Sequence, residues 1–164
     1  MKYTLKKDGK FNYTEIGDGR PIIILHGLMG GLSNFDGVIQ KFSKSGYKLV
    51  LPELPLYTLS LVNTNVKNFA KYLRDFIEYK NYENIILVGN SLGGHIGLYY
   101  TKLNPNRVSG LVITGSSGLY ESAMGGGYTK RSDYNVIKAK AEEVFYDPAV
   151  ATKEIVDDVY ETVN

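Results

Sequence analysis

Short apolar runs alternate along the chain with longer segments whose apolar residues recur at helical spacing. Residues 3–7 and 11–16 read as two short strands about a turn at Asp8-Gly9. Pro21-Ile22-Ile23-Ile24-Leu25 is a β-branched run too short for a helix, and it suits a strand buried on both faces. A helix is predicted from a cap at Ser33 or Asn34 to about Lys44, ended by Gly46. Residues 48–51 form the next strand, stopped by Pro52, and residues 52–60 read as a loop. Val66, Phe69, Ala70, Leu73, Phe76 and Ile77 then follow the 3.6-residue period behind a cap at Asn63 or Thr64.

Residues 85–88 form another buried strand, Gly89 to Gly94 a turn, and a helix follows to Leu103, ended by Asn104-Pro105. Residues 108–114 are a further strand, and the glycine- and serine-rich residues 115–127 read as a mobile connector. Tyr134, Ile137, Ala141, Val144 and Phe145 give one amphipathic stripe capped by Ser132 or Asp133. Asp147-Pro148 restarts the pattern, with Ile155, Val156, Val159, Tyr160 and Val163 as the second stripe. A hairpin followed by alternating strands and helices predicts an α/β fold: a doubly wound, mostly parallel sheet with helices on both faces and an N-terminal antiparallel hairpin.

Composition narrows the function classes. With 164 residues, 43% hydrophobic and 22% charged, the chain is long enough for one domain and is not disordered by composition. A net charge of +2 predicts no nucleic-acid partner and no acidic-membrane partner. The absence of cysteine excludes disulfides, thiolate metal sites and a cysteine nucleophile. His26 and His95 are the two histidines, so no metal site and no cofactor is expected. No apolar signal core opens the sequence and no run approaches the roughly 20 apolar residues that span a bilayer, so the expectation is a cytoplasmic protein.

The strongest chemical signal is Gly89-Asn90-Ser91-Leu92-Gly93, followed by Gly94. It fits G-x-S-x-G, and an apolar strand runs into it while a helix runs out. That setting puts a serine on a strained turn with its hydroxyl exposed. The flanking glycines are needed where neighbouring backbone passes too close for a Cβ. The helix starting at Leu92 aims its N-terminus at the reacting centre, where its dipole favours developing negative charge. The second signal is His26-Gly27, directly after the strand 21–25. Acyl transfer needs two N–H donors facing an oxyanion. One would be that of Leu92, after the nucleophile, and the other that of Leu28, in the loop after the third strand.

These stretches, Ile24-Leu25-His26-Gly27 and Val88 to Gly94, resemble the α/β-hydrolase fold family in its esterase and carbon–carbon bond hydrolase branch. The resemblance covers about residues 1–115 in fold order. It divides the chain into 1–118, the N-terminal part of the hydrolase core, and 119–164, the start of the helical cap or lid that this family inserts after its sixth strand. It implies hydrolysis of an ester, or of a carbon–carbon bond next to a carbonyl, through Ser91, with His26 and Gly27 as loop support. A serine at the elbow argues against the dehalogenase and epoxide-hydrolase branches, which carry Asp there.

The chain also departs from the pattern. The family orders its triad as Ser, then Asp or Glu, then His. After Ser91 there is one histidine, His95, four residues on in the outgoing helix, where it cannot readily reach the serine hydroxyl from the family's base position. Asp133, Asp147, Asp157 and Asp158 read as helix caps or solvated faces, and the strand 108–114 ends in Gly115, Ser116 and Ser117 with no carboxylate. After the strand 48–51 relatives carry Asp-x-x-Gly-x-Gly, whereas this chain has Glu53-Leu54-Pro55-Leu56-Tyr57. Leu54 or Tyr57 would line a pocket or simply pack.

The expectation is therefore an N-terminal portion. The acid and base would lie on the C-terminal remainder of the same protein, or another subunit would complete the sheet. The functional reading is a serine hydrolase acting on a small ester-like substrate. The alternative is a hydrolase-fold fragment that binds a small molecule without turnover. A nucleotide-binding reading is weaker, because the elbow lacks both the P-loop lysine and the G-x-G-x-x-G spacing.

Overall fold

The computed structural model describes residues 4–28, 32–56, 58, 60–119 and 132–163. The chain divides into two compact units, Met1–Tyr120 and Glu121–Asn164. In the first, strands β1 (Lys6–Asp8), β2 (Phe11–Ile16), β3 (Arg20–Leu25), β4 (Tyr47–Pro52), β5 (Ile85–Asn90) and β6 (Val108–Thr114) form one sheet ordered β1-β2-β4-β3-β5-β6. The β1–β2 and β2–β4 pairs are antiparallel, and β4, β3, β5 and β6 run parallel. The expected doubly wound α/β sheet with an N-terminal hairpin is thus observed. Three helices belong to this unit: α1 (Asp36–Phe42), α2 (Val66–Tyr79) and α3 (Leu92–Leu103).

Strand periodicity decides which helix covers which face. Side chains alternate across a strand. In β3, Ile23 and Leu25 join the core built with α2 and α3, while Ile22 and Ile24 join the one built with Ile39 of α1 and Phe35 just before it. The same alternation puts Leu87 of β5 on the first face and Val88 on the second. A strand buried on both sides has to be apolar throughout, which is the reason for the unbroken run Ile22 to Leu25. From β3 the chain winds outward to β4, then returns to lay β5 on the other side of β3. The carboxyl ends of β3 and β5 therefore meet where the winding reverses, the position at which doubly wound sheets form their crevice.

At the opposite end of the strands, polar contacts tie the sheet together. The Arg20 guanidinium donates from Nε to the Asn84 carbonyl (2.8 Å) and also bonds to Ser109. The hairpin is pinned to α2 by Phe11 and Tyr13, whose ring centroids each lie 5.3 Å from that of Phe76. Beside them Lys80 bonds to the Tyr13 hydroxyl (2.9 Å) and pairs with Glu15 (3.2 Å), which also accepts from Lys6 and Tyr82.

Several local expectations are corrected. The cap of α2 is Asn65, whose side chain accepts from the Asn68 N–H, and not Asn63 or Thr64. The α1 segment opens with a 3-10 turn over Leu32–Phe35, so its α-helical part starts at Asp36 with no side-chain cap. Strand β4 includes Pro52, paired with Tyr13 of β2. The loop residue Leu54 is core, at 4% exposure. Tyr3 and Tyr57 lie outside the described residues. So do residues 120–127 of the connector.

In the second unit, α4 (Tyr134–Glu143) is capped by Asp133 and α5 (Lys153–Val163) follows. The Tyr134 hydroxyl donates to Asp157 (2.7 Å) and that of Tyr160 to the Ser132 carbonyl (3.2 Å). Ile137, Ala141 and Val156 are buried, but Val144 is exposed because it is the residue at which α4 ends. Asp147-Pro148 caps only a 3-10 turn over Pro148–Val150, and the second helix begins later, at Lys153.

Burial works against ionised Glu15. The bonds from Tyr82, Lys6 and Lys80 outweigh it, and its carboxyl falls from 4.5 to about 2. A carboxyl depressed by folding stabilises the folded state above its unfolded value, and that stability is lost as pH falls through the folded value. Urea midpoints should therefore decline between pH 4.5 and about 2 in the wild type and decline less in Glu15→Gln. Parallel acid curves for the two proteins would show that Glu15 is not coupled to folding.

Candidate active site

Strand β5 runs straight to Asn90 and α3 starts at Leu92, so the whole turn between them is Ser91. The expected turn from Gly89 to Gly94 is thus narrower than the sequence suggested. One residue reverses the chain only through an unusual backbone, and Ser91 sits at φ 52°, ψ −119°. A positive φ favours glycine, and a serine held there is strained.

The strain persists because the backbone of Ser91 is held on each side. Its N–H donates to the Thr114 carbonyl at the end of β6 (3.0 Å). Its carbonyl accepts from His95 (3.2 Å) and from Ser117 (3.3 Å). Neighbouring Asn90 donates its side-chain amide to the carbonyl (3.2 Å) and hydroxyl (3.0 Å) of Thr114. Thr114 and Ser117 were not singled out from the sequence, although the polar cluster closing an otherwise apolar strand was their signal.

The glycines are needed for close approach. A Cβ on Gly89 would lie 2.5 Å from the Gly93 carbonyl oxygen, and one on Gly93 would enter the Leu25 carbonyl and lie 2.8 Å from that of His26. A Cβ on Gly94 would meet the Ser116 hydroxyl at 2.7 Å, and one on Gly27 would come within 3.2 Å of the Ser91 Cβ. Segment 26–27 after β3 therefore passes directly beside Ser91, and Leu28 is the next residue. Leu92 is the first residue of α3, and a first-turn N–H has no acceptor inside its own helix.

The two histidines are engaged locally. His26 Nδ1 lies 2.8 Å from the Gly27 carbonyl, which can only accept, so this nitrogen carries the hydrogen. His95 Nδ1 lies 3.4 Å from the Ser117 hydroxyl, and its ring fills the place a Gly118 side chain would take. Among the described residues neither histidine is paired with a carboxylate. Asp133 and Asp147 are caps and Asp157 pairs with Lys153, as their spacing suggested. No group of three or more His, Asp or Glu that could hold a metal occurs among the described residues. No described helix is long and apolar enough to cross a membrane.

The family model for the alpha/beta hydrolase fold matches residues 20–139. The chain belongs to the α/β-hydrolase family. A 2-hydroxy-6-oxo-6-phenylhexa-2,4-dienoate hydrolase from Comamonas testosteroni is 31% identical over 68% of this chain and 42% of its own length. The acetyltransferase component of an acetoin cleaving system from Pseudomonas putida is 25% identical over 86% of this chain and 40% of its own length. Among solved structures, an α/β hydrolase enzyme from a sediment metagenome of the Mar Chica lagoon, Morocco, is 64% identical with a TM-score of 0.69, over 72% of this chain and 54% of that one. A meta-cleavage product hydrolase from Pseudomonas fluorescens IP01 shares the fold, with a TM-score of 0.75 at 20% identity over 93% of this chain and 60% of that one. The chain spans less than half the length of the two curated relatives.

The elbow makes a sharp stability prediction for this hydrolase-family chain. Gly93→Ala forces a Cβ into rigid backbone and should cost about 3 kcal/mol, the upper end for overpacking. Gly37→Ala lies in α1 with nothing within 4 Å of the added Cβ and should be neutral or stabilise by about 0.5 kcal/mol. Chemical denaturation of both variants checks the contrast. Equal effects would refute the close-approach reading of Gly93.

Proposed function

We propose that the chain carries the nucleophile half of a serine hydrolase acting on a carboxylic ester or related carbonyl substrate. Ser91 attacks the carbonyl carbon, and the N–H groups of Leu28 and Leu92 receive the developing oxyanion. His26, Gly27, Gly89, Asn90, Gly93 and Gly94 support that geometry. The observation that carries the reading is the strained Ser91 backbone at a strand-to-helix junction, its N–H tied to the end of β6 and its carbonyl to α3 and the loop after β6. The names of the dienoate hydrolases among its relatives extend the substrate class to carbon–carbon bonds next to a carbonyl. Residues 119–164 would be the start of the helical cap of this family.

A serine without a base is a weak nucleophile, and what remains is the contribution of the oxyanion donors. The acid and base would come from the remainder of the protein or from another subunit. The isolated chain should therefore take up a fluorophosphonate slowly, one adduct per chain by intact mass, with none in Ser91→Ala. Equal labelling of the alanine variant would sink the assignment of Ser91. No labelling of either protein at long times would move the reading to a binding module without turnover.

The same partner would cover β6. That strand pairs with β5 along one side, closes the described sheet and exposes Val112 by half. An apolar edge of this kind invites pairing with another strand. Size-exclusion chromatography should show self-association of the isolated chain, reduced by Val112→Lys. A monodisperse monomer in both cases would mean that the edge needs no cover.

A further inference from the structure

A cavity of about 290 Å³ opens between α2 and α3, and none of its wall residues belongs to the elbow. We infer that it is a second ligand site for a small amphipathic anion, a carboxylate or phosphate group on a short apolar body. The site lies on the distal half of the helix that carries Ser91 at its N-terminus, and the inference stands whether or not Ser91 is a nucleophile.

Charge points to an anion. Lys67, Lys71 and Arg74 fall at helical spacing on one side of α2 and all line the cavity. Like charges four residues apart on a helix repel, so this arrangement has a cost that a bound anion removes. Arg74 is partly neutralised by Asp75 (3.0 Å) and Glu78 (4.0 Å). Lys67 and Lys71 have no ion pair among the described residues.

The opposite wall supplies a neutral donor. Tyr100 of α3 is 1% exposed, and its hydroxyl is buried without a hydrogen-bond partner. Buried hydroxyls are ordinarily bonded, so this orphan, on a residue that lines the cavity, is a donor the protein itself leaves unused. Burial raises the Tyr100 pKa, and the next influence on it is Arg107, with Glu78 and Arg74 behind. The hydroxyl thus stays protonated, as a donor. Leu103, Ala70 and the Tyr99 ring complete the wall with apolar surface. Cations on one side, a phenol donor on the other and apolar surface between them match an anion with a hydrophobic body better than a bare inorganic ion.

The probe is phenyl phosphate, followed by amide chemical shifts on the full chain. Inorganic phosphate and benzyl alcohol serve as its two separated halves, and benzoate as the carboxylate counterpart. Phenyl phosphate, benzoate or both should give saturable shifts confined to α2 and α3, binding at least about tenfold more tightly than either half. The double variant K67A/K71A should weaken binding about tenfold, and Tyr100→Phe about fivefold while leaving thermal stability unchanged or higher. Ser91→Ala should bind like the wild type. Shifts that do not saturate, inorganic phosphate binding as tightly as phenyl phosphate, or full affinity in K67A/K71A would each overturn the site.

Discussion

The structure around Ser91 depends on three backbones passing within touching distance of one another. The end of β3, the end of β5 and the start of α3 meet so closely that a Cβ at Gly93 would occupy the Leu25 carbonyl. This contact fixes how deep α3 sits against the sheet, and so where its first N–H groups point. It also brings residues 26–27 alongside Ser91, with only a glycine's width between them. The positive φ of Ser91 follows from the same crowding. A longer turn would lift α3 off β3, so the reversal has to fit in a single residue.

That strain is held by the sheet. A non-glycine residue in this region costs on the order of 1–3 kcal/mol. One hydrogen bond donated by the Ser91 N–H to Thr114, two accepted by its carbonyl from the His95 and Ser117 N–H groups, and two from the Asn90 amide to Thr114 hold the conformation. Four of these five run to β6 or to the loop behind it. The strand that closes the described sheet is thus also the strand that positions the serine.

The parts of this arrangement that were legible in the sequence are those set by short-range pattern. Runs such as Ile22 to Leu25 and Ile85 to Val88 have no other use than buried parallel strands, and Phe69, Leu73, Phe76 and Ile77 mark one face of α2. The spacing Gly89-x-Ser91-x-Gly93 was legible because it records a steric requirement directly. The local caps were less so. Asn63, Thr64 and Asn65 are all competent, and the choice of Asn65 depends on where the loop delivers the chain. Thr114 and Ser117 were missed because their partners lie more than twenty residues away, and the polar cluster that ends the strand marks the place without naming the contact.

The division between what this chain holds and what a serine hydrolase needs also has a physical basis. The elbow and the segment after β3 belong to the middle of the sheet, where every neighbour is already present in the first 117 residues. Their geometry is complete without any further strand. A general base has no such requirement. It has only to reach the serine hydroxyl. Catalytic groups of the first kind are built into the core and constrained by packing. Groups of the second kind are constrained only by reach. The strained turn at Ser91 belongs to the first kind, and it is held in place while, among the described residues, neither histidine is paired with a carboxylate.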